Sequence, residues 1–121
     1  MIAAAAAAQH GARTLLLESH GFLGGCAAMP MPILGFATSG GRKVIAGIPE
    51  AFVSELRRAG GALEDATHPV LQSFTTTDAE VLKAVADDFV ARAGADVLLH
   101  TTVTGVEAEG DTITHVVAMP K

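Results

Sequence analysis

Glu18 is the residue whose placement points most directly to chemistry. It closes the apolar run Thr14-Leu15-Leu16-Leu17, so a carboxylate stands at the end of a short strand. In dinucleotide-binding βαβ units, an acid at the end of the second strand accepts hydrogen bonds from ribose hydroxyls, about twenty residues after a glycine fingerprint. The sequence contains no GxGxxG run; it begins where such a fingerprint would just have ended. Gly24-Gly25 follows Glu18 closely, and a glycine turn with free N–H groups is what a bound phosphate needs. An ordinary exposed acid and a simple tight turn are the plain alternatives for these residues. The helix-forming stretch before Glu18 and the glycine pair after it favour the ligand.

The other reactive side chains are less specific. Cys26 is the one cysteine. It has no partner for a disulfide exchange with a redox group, so a small packed side chain is the expected role. A single cysteine also excludes a disulfide framework, a Cys-based zinc site and an iron–sulfur cluster held by this segment alone. The five histidines, at positions 10, 20, 68, 100 and 115, show no spacing that suggests a metal site. Among them His20, in the loop after Glu18, is the candidate for acid–base work, against a plain surface role.

The elements that must position these residues follow from periodicity. Ala3 to Ala8 predict a close-packed alanine helix ended by Gly11, and Thr14 to Leu17 a buried parallel strand. From Ser19 to Gly47 periodicity is lost, in a glycine- and methionine-rich stretch with Pro30 and Pro32. Its apolar density (Phe22, Leu23, Ile33, Leu34, Phe36) suits a structured segment lining a site better than a linker. Met29 and Met31 are expected to pack beside that site. A helix starts at Pro49 with Phe52, Val53 and Leu56 on its apolar stripe and ends at Gly60-Gly61. Residues 62–74 read as a connector. Thr77-Asp78-Ala79-Glu80 has the spacing of a capping box and opens a helix carrying Val81, Leu82, Val85, Ala86, Phe89 and Val90. Lys83 with Asp87 and Asp88 with Arg92 are its expected surface pairs. Asp96 to His100 predicts a second short strand, parallel to the first. Val103–Glu109 and Thr112–Ala118 predict an antiparallel hairpin turning at Gly110-Asp111.

Composition narrows the function classes. The chain of 121 residues is half apolar, with no Trp or Tyr, so its core is aliphatic and alanine-rich. A net charge of −5 gives no basic footprint for nucleic acid. No apolar stretch reaches the roughly 18 residues of a membrane span. No Lys or Arg precedes the apolar N-terminal run, as a secretory signal would require, and a cytoplasmic location is expected.

The order of parts resembles a known family. AAAAAAQHGARTLLLESHGFLGG, GIPEAFVSELRRAGG and DAEVLKAVADDFVARAGADVLLHTTVTGVEAEGDTITHVV are similar to FAD-dependent oxidoreductases with the glutathione-reductase-like FAD fold, in the group related to the A-type subunit of heterodisulfide reductase. The likeness is weakest from Met29 to Val44. It implies an α/β architecture: a partial Rossmann-like FAD-binding fold lacking its first strand and glycine loop, with a C-terminal antiparallel β-hairpin. The whole of 1–121 would be one incomplete FAD-binding domain, with an irregular cofactor- or substrate-lining segment at about 26–76. The resemblance implies FAD as cofactor, with Glu18 on the adenosine ribose. Gly24 and Gly25 would approach FAD through their backbone, Cys26 would follow at a small-residue position, and Val103 would meet the adenine through its main chain. It further implies a small-molecule substrate or electron-transfer partner, with neither nucleic acid nor membrane involved, and a chain that is an internal fragment of a longer enzyme. An NAD-binding Rossmann-type domain and an inactive truncated product are the alternatives.

Overall fold

The alanine run folds as α1 (Ile2–Gln9), and Gly11 carries the chain out of it with a φ of 86°. In the computed structural model, which describes all residues except Pro30, Ser39, Leu71 and the side chain of Gln72, this helix opens a mixed α/β fold. β1 (Leu15–Leu17) follows, then a short 3₁₀ helix (Gly25–Ala28), β2 (Ile33–Leu34) and α2 (Ile48–Arg58). β3 (Ala66–His68) and β4 (Gln72–Thr75) lead into α3 (Ala79–Ala93), β5 (Asp96–Leu98), β6 (Thr101–Glu109) and β7 (Thr112–Pro120).

The expected parallel pairing is present: β1 lies alongside β5, with Leu15, Leu16 and Leu17 opposite Asp96, Val97 and Leu98. Burial of this sheet is lower than the apolar run suggests. Leu15 is 58% exposed and Leu98 48%, because the described sheet has two strands and leaves a free edge. The hairpin also forms as expected, with a longer ladder, and β-bulges fall between Val103 and Gly105 and between Glu107 and Ala108.

Residues 62–74 are more ordered than a connector. β3 and β4 pair antiparallel, and β2 joins them in a sheet of order β2-β4-β3. Two buried hydroxyls knit this sheet to its surroundings. Ser73 accepts from the Ala37 N–H (2.7 Å) and donates to the Ala37 carbonyl (3.0 Å). Thr75 donates to Asp65 (2.5 Å), which also accepts from Arg57 at the end of α2 (2.5 Å). Short strands with no alternating apolar face carry little sequence signal, since side-chain hydrogen bonds rather than burial fix them.

The core is largely helical. Ala4 and Ala5 of α1, Phe52, Val53 and Leu56 of α2, and Leu82, Ala86, Phe89 and Val90 of α3 are buried in one cluster. Phe52 and Phe89 meet edge-on at 5.4 Å and 75°, a favourable quadrupole arrangement. The start of α3 differs from the capping-box expectation. Asp78 is the N-cap, and its carboxylate accepts from the N–H groups of Glu80 (2.9 Å) and Val81 (3.0 Å). A carboxylate oxygen is the stronger acceptor, so the helix starts one residue later than Thr77, whose buried hydroxyl has no partner among the described residues. The expected surface pairs are also rearranged: Lys83 binds Glu80 (2.7 Å), and Arg92 reaches across to Glu55 on α2.

Leu82 and Asp78 test this arrangement. Leu82→Ala should cost about 3 kcal/mol through the cavity it leaves. Asp78→Ala should cost about 1 kcal/mol through the lost cap. Urea unfolding followed by circular dichroism measures both.

Candidate functional site

Glu18 is the first residue past β1, and its main chain is tied on both sides. Its N–H donates to the Leu98 carbonyl (3.0 Å), and its carbonyl accepts from the Thr101 N–H (2.9 Å). The carboxylate therefore stands at the carboxyl end of the parallel pair, where ligands of open α/β sheets bind. Thr101 begins β6, so the same bonds bring the strand that carries Val103 to this edge. Val103 lies opposite Ala118 and is half exposed.

The Glu18 side chain is held by the loop that follows it. Its Oε1 accepts from the His20 backbone N–H (2.8 Å), from His20 Nδ1 (2.8 Å) and from the Ser19 hydroxyl (3.2 Å). The His20 backbone N–H acts most strongly in lowering the carboxyl below its ordinary 4.5; partial burial opposes it, and the side chains of His20 and Ser19 add to the lowering. The group is thus an anion near neutral pH. Among the described residues no hydrogen bond is made to Oε2.

From His20 the chain crosses Gly21 and Phe22 to the glycine pair. Gly24 has a φ of 115°, and a Cβ there would lie 2.7 Å from Leu82 Cδ2 and 2.8 Å from the Ala28 Cβ. Close packing on α3 thus requires glycine at this position. Gly25 has a φ of 54° with open space beside it. Cys26 is exposed on the 3₁₀ helix, not packed as expected, because this side chain faces away from the α3 contact that Gly24 makes. Gly24 also lines an apolar cavity of about 300 Å³ with Met1 and Ile2, Ala27, Ile33 and Phe36, and Pro49, Phe52 and Val53 of α2. This cavity joins the start of α1 to the glycine turn. A larger cleft of about 430 Å³ lies between α2 and α3, lined by the charged Glu55, Arg58, Asp88 and Arg92 and by none of the candidate residues. Of the methionine–proline stretch expected beside the site, Pro30 lies outside the described residues; Met29 and Met31 are exposed.

The structure thus gathers Glu18, His20 and the start of β6 at one strand edge, and places Gly24 in the wall of the apolar cavity, with Gly25 and Cys26 following it in the chain but outside the lining. His100 is the residue that spacing did not reveal. Its N–H donates to the His20 carbonyl (3.1 Å), and its ring fills the space where a Cβ on Gly21 would be, 2.7 Å from Cε1. It adopts a φ of 54°, a left-handed conformation unusual for a residue with a side chain. Aligning TLLLE with DVLLH as parallel neighbours would have put the two loops together. Among the described residues no group of three or more His, Cys, Asp or Glu could hold a metal ion, and no helix is long and apolar enough to cross a membrane.

The anionic acceptor at the strand edge, with an oxygen left over and an apolar cavity at the glycine turn, fits a nucleotide cofactor. Residues 1–121 match the family described as FAD dependent oxidoreductase. The chain belongs to this family. Membership implies FAD as the cofactor and an oxidoreductase as the family's activity. A comparison with curated proteins returns no significant match. Among solved structures, THI4 of Thermovibrio ammonificans is similar at a TM-score of 0.56 and 16% identity, over 98% of this chain. The match covers 42% of that chain, so this sequence spans less than half its length. The likeness supports a mixed α/β fold resembling part of an FAD-binding fold, with a C-terminal antiparallel hairpin.

Two outcomes test this site geometry. Gly24→Ala should cost about 3 kcal/mol, combining overpacking with left-handed strain, whereas Gly25→Ala should cost about 1 kcal/mol from strain alone. Because the Glu18 carboxyl is lower in the folded chain than in the unfolded one, its contribution is complete above 4.5 and is lost as the pH falls through the folded value. Urea unfolding at decreasing pH should show the parent losing stability relative to Glu18→Gln.

Proposed function

We propose that this chain supplies part of the FAD site of an FAD-dependent oxidoreductase related to the A-type subunit of heterodisulfide reductase. The observation that carries the reading is the ionised Glu18 at the carboxyl end of β1 in a chain that matches the family throughout. Glu18 binds the adenosine ribose, accepting from its hydroxyls as an anion that has no proton of its own to donate. Gly24 and Gly25 present backbone N–H groups to the cofactor beside the apolar cavity. Cys26 stands exposed at the turn without taking part in electron transfer, and the main chain at Val103 meets the adenine. Residues 1–121 contain no glycine fingerprint of the kind that cradles the phosphates of a dinucleotide. Bound FAD supplies hydride or electron transfer between a small-molecule substrate and an electron-transfer partner, in the cytoplasm; the protein contributes binding, orientation and exclusion of water.

Flavin-fluorescence titration tests the reading. In a protein that also carries the phosphate loop, Glu18→Ala should weaken FAD binding roughly tenfold to a hundredfold, the loss of charge-assisted bonds to the ribose. Cys26→Ser should leave binding and activity unchanged. Residues 1–121 alone should bind FAD poorly. Unchanged affinity in Glu18→Ala would remove Glu18 from the site, and complete inactivation by Cys26→Ser would give the thiol a role.

A further inference from the structure

We propose that His20 is a positioning residue: by holding Oε1 of Glu18 it turns the carboxylate so that Oε2 meets the vicinal hydroxyls of the FAD ribose. This inference rests on the reading of Glu18 as the ribose ligand. A glutamate at a strand end has several side-chain torsions, and a ligand that uses it must first freeze them. Here they are frozen beforehand. Oε1 receives three donors, two of them from His20, while Oε2 receives none among the described residues. An ionised carboxylate can only accept, so the proton of His20 lies on Nδ1, facing Glu18.

His20 is itself restrained from several directions. Its carbonyl accepts from the His100 N–H at 3.1 Å, which ties the loop after β1 to the turn after β5. Its ring packs on Phe22, with centroids 5.4 Å apart and planes 35° from parallel. Phe22 in turn carries the Lys83 ammonium 4.5 Å from its ring centre, and Lys83 is paired with Glu80. A histidine whose side chain is 48% exposed would ordinarily sample several rotamers. These contacts fix it, and the bond from Nδ1 passes that order to the carboxylate.

The test is a double-mutant cycle in the FAD-binding protein, read as FAD dissociation constants. His20→Ala should weaken FAD by about tenfold, the worth of one oriented hydrogen bond. His20→Asn should restore near-parent affinity, because the asparagine Nδ2 occupies the place of the histidine Nδ1. The double variant Glu18→Ala with His20→Ala should bind no more weakly than Glu18→Ala, since His20 acts through Glu18. Additive losses, parent-like affinity in His20→Ala, or failure of asparagine to rescue would each overturn the positioning role while leaving Glu18 in place. Parent-like affinity in Glu18→Ala, or no FAD binding by the parent, would overturn both readings.

Discussion

Leu82, near the start of α3, is fully buried, and Gly24 approaches it so closely that even a methyl group would not fit between them. The seating of the glycine turn on the helical core depends on that contact. It seats the 3₁₀ helix against α3, and α3 in turn packs on α1, α2 and β5. The turn beside the apolar cavity is therefore clamped to the most regular element of the fold rather than suspended in a loop. A glycine turn built this way can offer its N–H groups to a ligand without first being ordered by it.

The two halves of the candidate site differ in physical character. At the strand edge, the main chain of Glu18 is bonded to both neighbours and its side chain to His20 and Ser19, giving a polar, anionic and well-oriented acceptor. Beside Gly24 the surroundings are alkyl and aromatic, with no ionisable side chain lining the cavity among the described residues. The short stretch Ser19 to Leu23 joins the halves, and Phe22 anchors it through His20 on one hand and Lys83 on the other.

Much of this was legible in the sequence, for identifiable reasons. The stripe Phe52, Val53, Leu56 and the run from Val81 to Val90 announced two helices because their burial repeats at the helical period. The twin segments TLLLE and DVLLH announced the parallel pair, and Gly110-Asp111 the hairpin. What escaped depended on contacts across long separations. β3 and β4 are held by Ser73, Thr75 and Asp65, whose roles appear once Ala37 and Arg57 arrive from elsewhere. Thr77 lost the cap to Asp78 because two good acceptors were adjacent and the charged one prevailed. His100 entered the site through the register of β1 against β5, which no local spacing records. The exposure of Leu15 and Leu98 likewise follows from how many strands lie alongside, a property of the sheet and not of the run.

The alanine helix α1 has a consequence beyond its close packing. Six successive alanines look alike from every side, so the helix has no stripe to tell it which face belongs inward. Burying such residues costs almost no rotamer freedom, but it also discriminates poorly between one rotation about the helix axis and the next. The azimuth that buries Ala4 and Ala5 must be inherited from outside: from Ile2 at one end, from the exit at Gly11, and from the shape of α3 beneath. Degeneracy of this kind makes α1 tolerant of where it sits and dependent on its neighbours for an address.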